Sequence, residues 1–222
     1  MLEEQTEVPI GISEKTLRKN FIDKPYLRRT SNFERKMHDW IYGGISLQMD
    51  ILACAEVEWL SDNFADEPEE SRYKSLIGQI LPVPMDDESV TTPVEMYFKL
   101  VRNHFRYESW QEMAEHVPMD DYSIADIESK RRKLMGWVGG DHLPDPDVVG
   151  KFLELLILKR GEHDPIYYQL LYHIAAFMER LLQSFLPSIQ KLGLTVEDVV
   201  AMFGTFHCHF ERHKKAASLK TG

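Results

Sequence analysis

Cysteine is scarce: Cys54 and Cys208 are the only two in 222 residues, too few for a disulfide framework. A chain of this length buries a core without such staples. Long apolar runs are missing as well. The stretch 152–158 is already interrupted by Glu154, far short of the roughly 18 to 20 residues of a membrane span. Residues 1–10 are acidic and lack the apolar region of a secretory signal, so a reduced, cytoplasmic setting with no membrane partner is expected. Positive charge is in deficit: the net charge of −10 argues against a general nucleic-acid coat, which is normally basic overall. Alternation of apolar and polar residues, the mark of strands, is absent, and so are hairpin signals. The chain also lacks G-x-S-x-G, H-E-x-x-H, the P-loop and the dinucleotide fingerprint. Asp86-Asp87 and Asp120-Asp121 are pairs that any acidic protein contains, so neither an enzymatic activity nor a cofactor is expected.

What the chain has is helical periodicity. Asn32 caps an apolar-periodic stretch, 33–60, carrying Met37, Trp40, Ile41, Ile45, Met49, Ile51, Leu52 and Trp59. Gly43 and Gly44 each lower helix propensity by about 1 kcal/mol relative to alanine, so two helices or one bent helix is expected. Residues 62–92 hold Pro68, Pro82 and Pro84 among many acids and read as a linker, with only 73–81 apolar enough for a short helix. Thr92-Pro93-Val94-Glu95 then offers a cap, a proline at the first helical position and an acid, for a helix to about Phe105. Asp145-Pro146 and Asp164-Pro165 repeat that start signal. The first opens a helix that ends at Gly161. The second opens the most apolar helix, 166–186, which Pro187 should stop. Its apolar residues cover more than one face, which suits a core or a subunit interface. Thr195 caps a last helix to about His213. These signals predict an all-α fold of about eight helices without internal repeats.

The region between the Thr92 cap and Gly161 carries a more specific pattern. Ser109 and Glu112 have the S-x-x-E spacing of a capping box, and Trp110, Met113, Ala114 and Val117 share one helix face. After Pro118, Asp120 or Asp121 can cap a second helix carrying Tyr122, Ile124, Ile127 and Glu128 and ending in the bases 130–133. Two short helices joined by a three- to four-residue turn make a helix-turn-helix candidate. The pattern Ser109, Ala114, Ile124, Ile127, Glu128, with Leu100 and Arg102 ending the preceding helix, resembles the lambda-repressor/Cro-like (XRE-type) helix-turn-helix family over about residues 93–159. Pro118 stands where that family usually has glycine, and Trp110 where it often has glutamine. The glycine-containing stretch 134–143 reads as a loop inserted after the second helix.

The resemblance implies a transcriptional regulator that acts as a homodimer on duplex DNA. Segment 121–129 would then lie in the major groove, with Tyr122, Ser123 and Asp126 reaching bases. Gln111, Lys130, Arg131 and Arg132 would contact phosphates, joined by Arg28 and Arg29 of a basic N-terminal arm. The apolar helix 166–186 and the final helix would supply the dimer core. The alternative is an all-helical adaptor with a degenerate, non-DNA-binding helix-turn-helix and a protein partner. Groove-facing Asp120, Asp121 and Asp126 favour it electrostatically. Bases elsewhere concentrate in 15–36 and 212–215 and acids in 56–70; each run is a solvated surface or part of a charged face. His209 and His213, at i and i+4 in the dense cluster 207–213, could share a metal ion, and no second ligand pair at matching spacing is apparent. The chain thus reads as a basic arm (1–31), a helical segment with acidic linker (32–92), a helix-turn-helix-like domain (93–160) and a C-terminal helical core or dimerisation segment (161–222).

Overall fold

Asn32–Asn63 forms one uninterrupted helix, α1, with Gly43 and Gly44 inside it. Ile41, Ile45, Met49, Ala53, Val57 and Leu60 recur every three or four residues and are all buried, so one side of α1 faces a core. That burial outweighs the propensity cost of the two glycines. The computed structural model describes residues 32–85, 89–119, 126–160, 165–191 and 194–221, and places these in two compact units. One unit is built from both ends of the chain, up to Ser75 and from Asp198 onward; the other runs from Leu76 to Glu197. The sequence-based boundary at 160/161 falls inside the second unit.

In the first unit α1 is followed by a single-turn helix α2, Glu69–Arg72. The other chain end supplies α8, Val196–Phe203, of which Val196 and Glu197 lie before the unit boundary, and α9, Thr205–Thr221. One terminal helix to His213 was predicted. Instead the helix breaks at Gly204, where the buried Thr205 hydroxyl donates to the Met202 carbonyl (2.7 Å), and resumes to Thr221. α9 packs along α1, with Phe206 and Phe210 buried and stacked at 5.8 Å.

The second unit opens with a 3-10 turn, Ile77–Ile80, and an antiparallel pair of two-residue strands, β1 (Val83–Pro84) and β2 (Val90–Thr91). No strand was expected; two residues are too few to leave an alternating pattern in the sequence. Then come α3 (Pro93–His104), α4 (Trp110–Ala114), α5 (Ile127–Val138), α6 (Pro146–Arg160) and α7 (Pro165–Lys191). The described residues are therefore mostly helical, with eight helices of five residues or more, as the periodicity implied. In this unit two helices run past their expected ends. α7 continues through Pro187, which is exposed, so water can satisfy the carbonyl that proline leaves without a donor. α5 extends through 134–138, read from the sequence as loop, because Leu134, Trp137 and Val138 fall at i, i+3 and i+4 and are all buried.

The core of this unit is aromatic. Phe98 of α3 stacks on Trp137 of α5 (6.2 Å) and meets Phe152 of α6 (6.4 Å) and Tyr172 of α7 (6.4 Å). Trp137 meets Phe152 edge-on at 5.8 Å. α7 packs on α3 and α6 and buries Tyr168, Leu171, Tyr172, Ala175, Met178 and Leu182, while Ile166, Leu170 and Phe177 stay exposed. A carboxylate is buried here too. Glu179, 1% exposed, accepts from the Val94 N–H at the start of α3 (3.4 Å) and from Gln183 (3.0 Å). Gly140, which follows α5 with φ +75°, lies against the same side chain; a Cβ there would be 3.4 Å from Glu179 Oε1.

α3 ends differently. Arg106 takes φ 55°, and the Tyr107 N–H returns to the Arg102 carbonyl (3.0 Å), a helix stop in which glycine is the usual residue. Replacing Arg106 by glycine removes the steric cost of that conformation, and urea denaturation should show a gain of up to about 1 kcal/mol. Phe98→Ala should instead lose about 3–5 kcal/mol by the same measurement, since its ring joins four helices.

Candidate functional site

The first candidate is the α3–α4–α5 segment. α4 starts where the sequence placed it: the Ser109 hydroxyl accepts from the Glu112 N–H (3.2 Å). The returning Glu112 carboxylate accepts from Glu108 N–H (3.1 Å), one residue before the cap. Trp110 also has a visible role. The Arg102 guanidinium of α3 lies over its ring, 4.6 Å from the centroid, so this first helical position ties α4 to α3. Met113, Ala114 and Val117 are buried, and α4 packs on α5.

α5 departs from the prediction at its start. Asp126 has an extended backbone, ψ 156°, and its carboxylate accepts from the Ser129 N–H at 2.7 Å. A residue in that conformation is a cap and not helix interior, so the helix that carries the bases starts at Ile127. Asp126 therefore closes a helix end where a base-reading role was expected. Tyr122 and Ser123 lie outside the described residues, as do Arg28 and Arg29.

The bases of α5 are largely engaged within the unit. Lys130 donates to the Glu115 carbonyl (2.9 Å) and Lys133 to the Pro118 carbonyl (2.9 Å), which ties the end of α4 and the following turn to α5. Arg131 makes two 3.0 Å contacts with the Glu128 carboxylate. Arg132 is exposed, and its charge helps lower Asp126 and Glu128. The leading cause for Asp126 is the Ser129 backbone hydrogen bond; for Glu128 it is the Arg131 hydrogen bond. Both carboxylates are thus held ionised at the head of α5. Gln111 is exposed on α4.

The second candidate lies in the other unit, and sequence reasoning found only half of it. His209 and His213 of α9 both face Asp50 of α1. Asp50 Oδ1 lies 2.7 Å from His213 Nε2, 2.5 Å from an Arg212 guanidinium nitrogen and 3.5 Å from His209 Nδ1. His209 Nε2 in turn lies 3.0 Å from the Ser46 hydroxyl. Ser46 and Asp50 are at i, i+4 on α1, which matches the histidine spacing, but only the pairing of the two helices reveals it. Burial raises the Asp50 carboxyl, yet the His213 and Arg212 hydrogen bonds and the charges of His209 and Arg212 outweigh it and leave the group below its ordinary value.

Hydroxyl, imidazole and carboxylate therefore stand in a row. The N–H groups flanking Ser46 belong to the α1 ladder and cannot serve as oxyanion donors, and Asp50 is shared with Arg212 and His213. Among the described residues no three His, Cys, Asp or Glu side chains are grouped to hold a metal ion. The arrangement acts as a polar clasp between helices. Ser218 of α9 adds a hydrogen bond to Glu69 (3.0 Å), and the Lys214 ammonium lies over the Tyr73 ring (5.8 Å).

The chain matches no protein-family model, no curated protein and no solved structure.

Because the folded-state Asp50 carboxyl is depressed, the stability it contributes is present above the unfolded value and is lost as pH falls through the folded one. Asp50→Asn should therefore unfold at lower urea than the parent at about pH 5. The two midpoints should draw together as pH falls through the folded-state value, because protonation removes the charge that asparagine lacks.

Proposed function

We propose that this protein is an all-helical interaction protein, an adaptor whose helix-turn-helix-like segment contacts another protein. The observation that carries this reading is the engagement of the α5 bases. Lys130 and Lys133 close the carbonyl end of the preceding segment and Arg131 is matched by Glu128, so three of the four positive groups already have partners in the same unit. A phosphate backbone would have to compete with these internal partners while the ionised Asp126 and Glu128 repelled it. The exposed stripe at i, i+4, i+8 reads Ile127, Arg131, Met135, apolar at both ends, which suits a protein surface better than a groove of phosphates.

Duplex DNA is the second reading, favoured by one feature: Arg131, Arg132 and Gln111 are all exposed. Titrating the protein into mixed-sequence duplex DNA across a salt series, beside an Arg131→Ala/Arg132→Ala variant, separates the two. The adaptor reading expects no salt-dependent binding by either protein at about 50 mM salt. Affinity that falls steeply with salt, and less steeply in the variant, would replace it with the DNA reading.

A further inference from the structure

We infer that the outward face of α1 is a self-association surface, on which a second copy of this chain lays its own α1 antiparallel. The face is apolar where a helix facing only water would be polar. Trp40 is 73% exposed, Leu47 58% and Ile51 54%, although residues of their size are usually the first to be buried. With Gly43, Gly44 and Ala55, also exposed, they fall at spacings of three, four and seven and make one continuous stripe.

The glycines strengthen the argument. Each costs the helix about 1 kcal/mol relative to alanine. Inside the chain nothing compensates, since a Cβ at either position would meet no atom within 4 Å. A second helix crossing there would, because a missing Cβ lets two helix axes approach closely.

The stripe is complementary to itself in one orientation. Its start bears Lys36 and its end Glu58 and Asp62, all exposed, with the apolar stretch between. An antiparallel partner, related by a two-fold axis close to Leu47, sets Trp40 opposite Ala55 and Ile51 opposite Gly44. Large residues then meet small ones. The same register brings Lys36 within one residue's rise of Glu58 of the second copy, at both ends of the contact. Parallel pairing does the reverse, stacking Trp40 on Trp40 and acid on acid. Size and charge therefore select a second copy, arranged antiparallel.

The test uses the full chain in a Cys54→Ser/Cys208→Ser background. A residue on a two-fold axis meets its own copy, so Leu47→Cys should form a disulfide-linked dimer under mild oxidation while Ala55→Cys should not. By sedimentation, the parent should shift from monomer to dimer with rising concentration. Leu47→Glu, which sets two carboxylates on the axis, should remain monomeric with an unchanged circular dichroism spectrum. Lys36→Glu should raise the dissociation constant several-fold, and Lys36→Glu/Glu58→Lys should restore it. A parent that stays monomeric at every concentration overturns the inference, as it would if another part of the chain covered this face. A dimer that Leu47→Glu leaves intact, or that cross-links through Ala55→Cys, overturns it equally.

Discussion

Two parallel helices from opposite ends of the chain hold the first unit together. Ser46 meets His209 and Asp50 meets Arg212 and His213, so contacts advance in the same direction along α1 and α9. Helices that run parallel cannot be joined by a short turn; the chain has to travel back the length of a helix before it can pair that way. Here the return is made through an entire second unit, from Leu76 to Glu197, inserted in the sequence between the two partners. The apolar sides of the helices supply most of the attraction, and the Asp50 clasp sets their register, since a shift of one turn would leave its charges unmatched.

Charge is handled locally in both units. In the first, one carboxylate gathers an arginine and two histidines. In the second, lysines close the backbone carbonyls at the end of one short helix and an arginine matches the acid that heads the next. The net charge of −10 therefore coexists with basic runs that serve structure before they serve any ligand. A run of lysine and arginine in a sequence has the same composition whether its donors face solvent, a phosphate or the protein's own carbonyls. Geometry distinguishes these cases, and for Lys130 and Lys133 it selects the carbonyls.

Helix starts were legible because capping acts within three or four residues. Thr92 with Glu95 and Ser109 with Glu112 make the hydrogen bonds that their spacing announces. Asp126 makes one of the same kind, but the acids at 120 and 121 gave an equally good signal and masked it. Helix ends were less legible. Arg106 stops α3 in a conformation that nothing in its identity suggests, while Pro187, a usual stop, is absorbed at an exposed position. The first half of the loop read at 134–143 gave way to helix because the packing of Leu134, Trp137 and Val138 exceeds the cost of Gly136.

The candidate sites divide along the same line. The spacing of His209 and His213 was visible, but their partner was not, because Ser46 and Asp50 lie some 160 residues away and carry no mark of the pairing. What the sequence determined by itself was the helical class and the helix starts at Thr92 and Ser109. These depend on groups within one or two turns, where spacing is geometry. Tertiary structure decided which faces meet, which bases are already engaged and which apolar stripe is left outside. Those outcomes depend on burial between segments remote in the chain, and no local spacing encodes it.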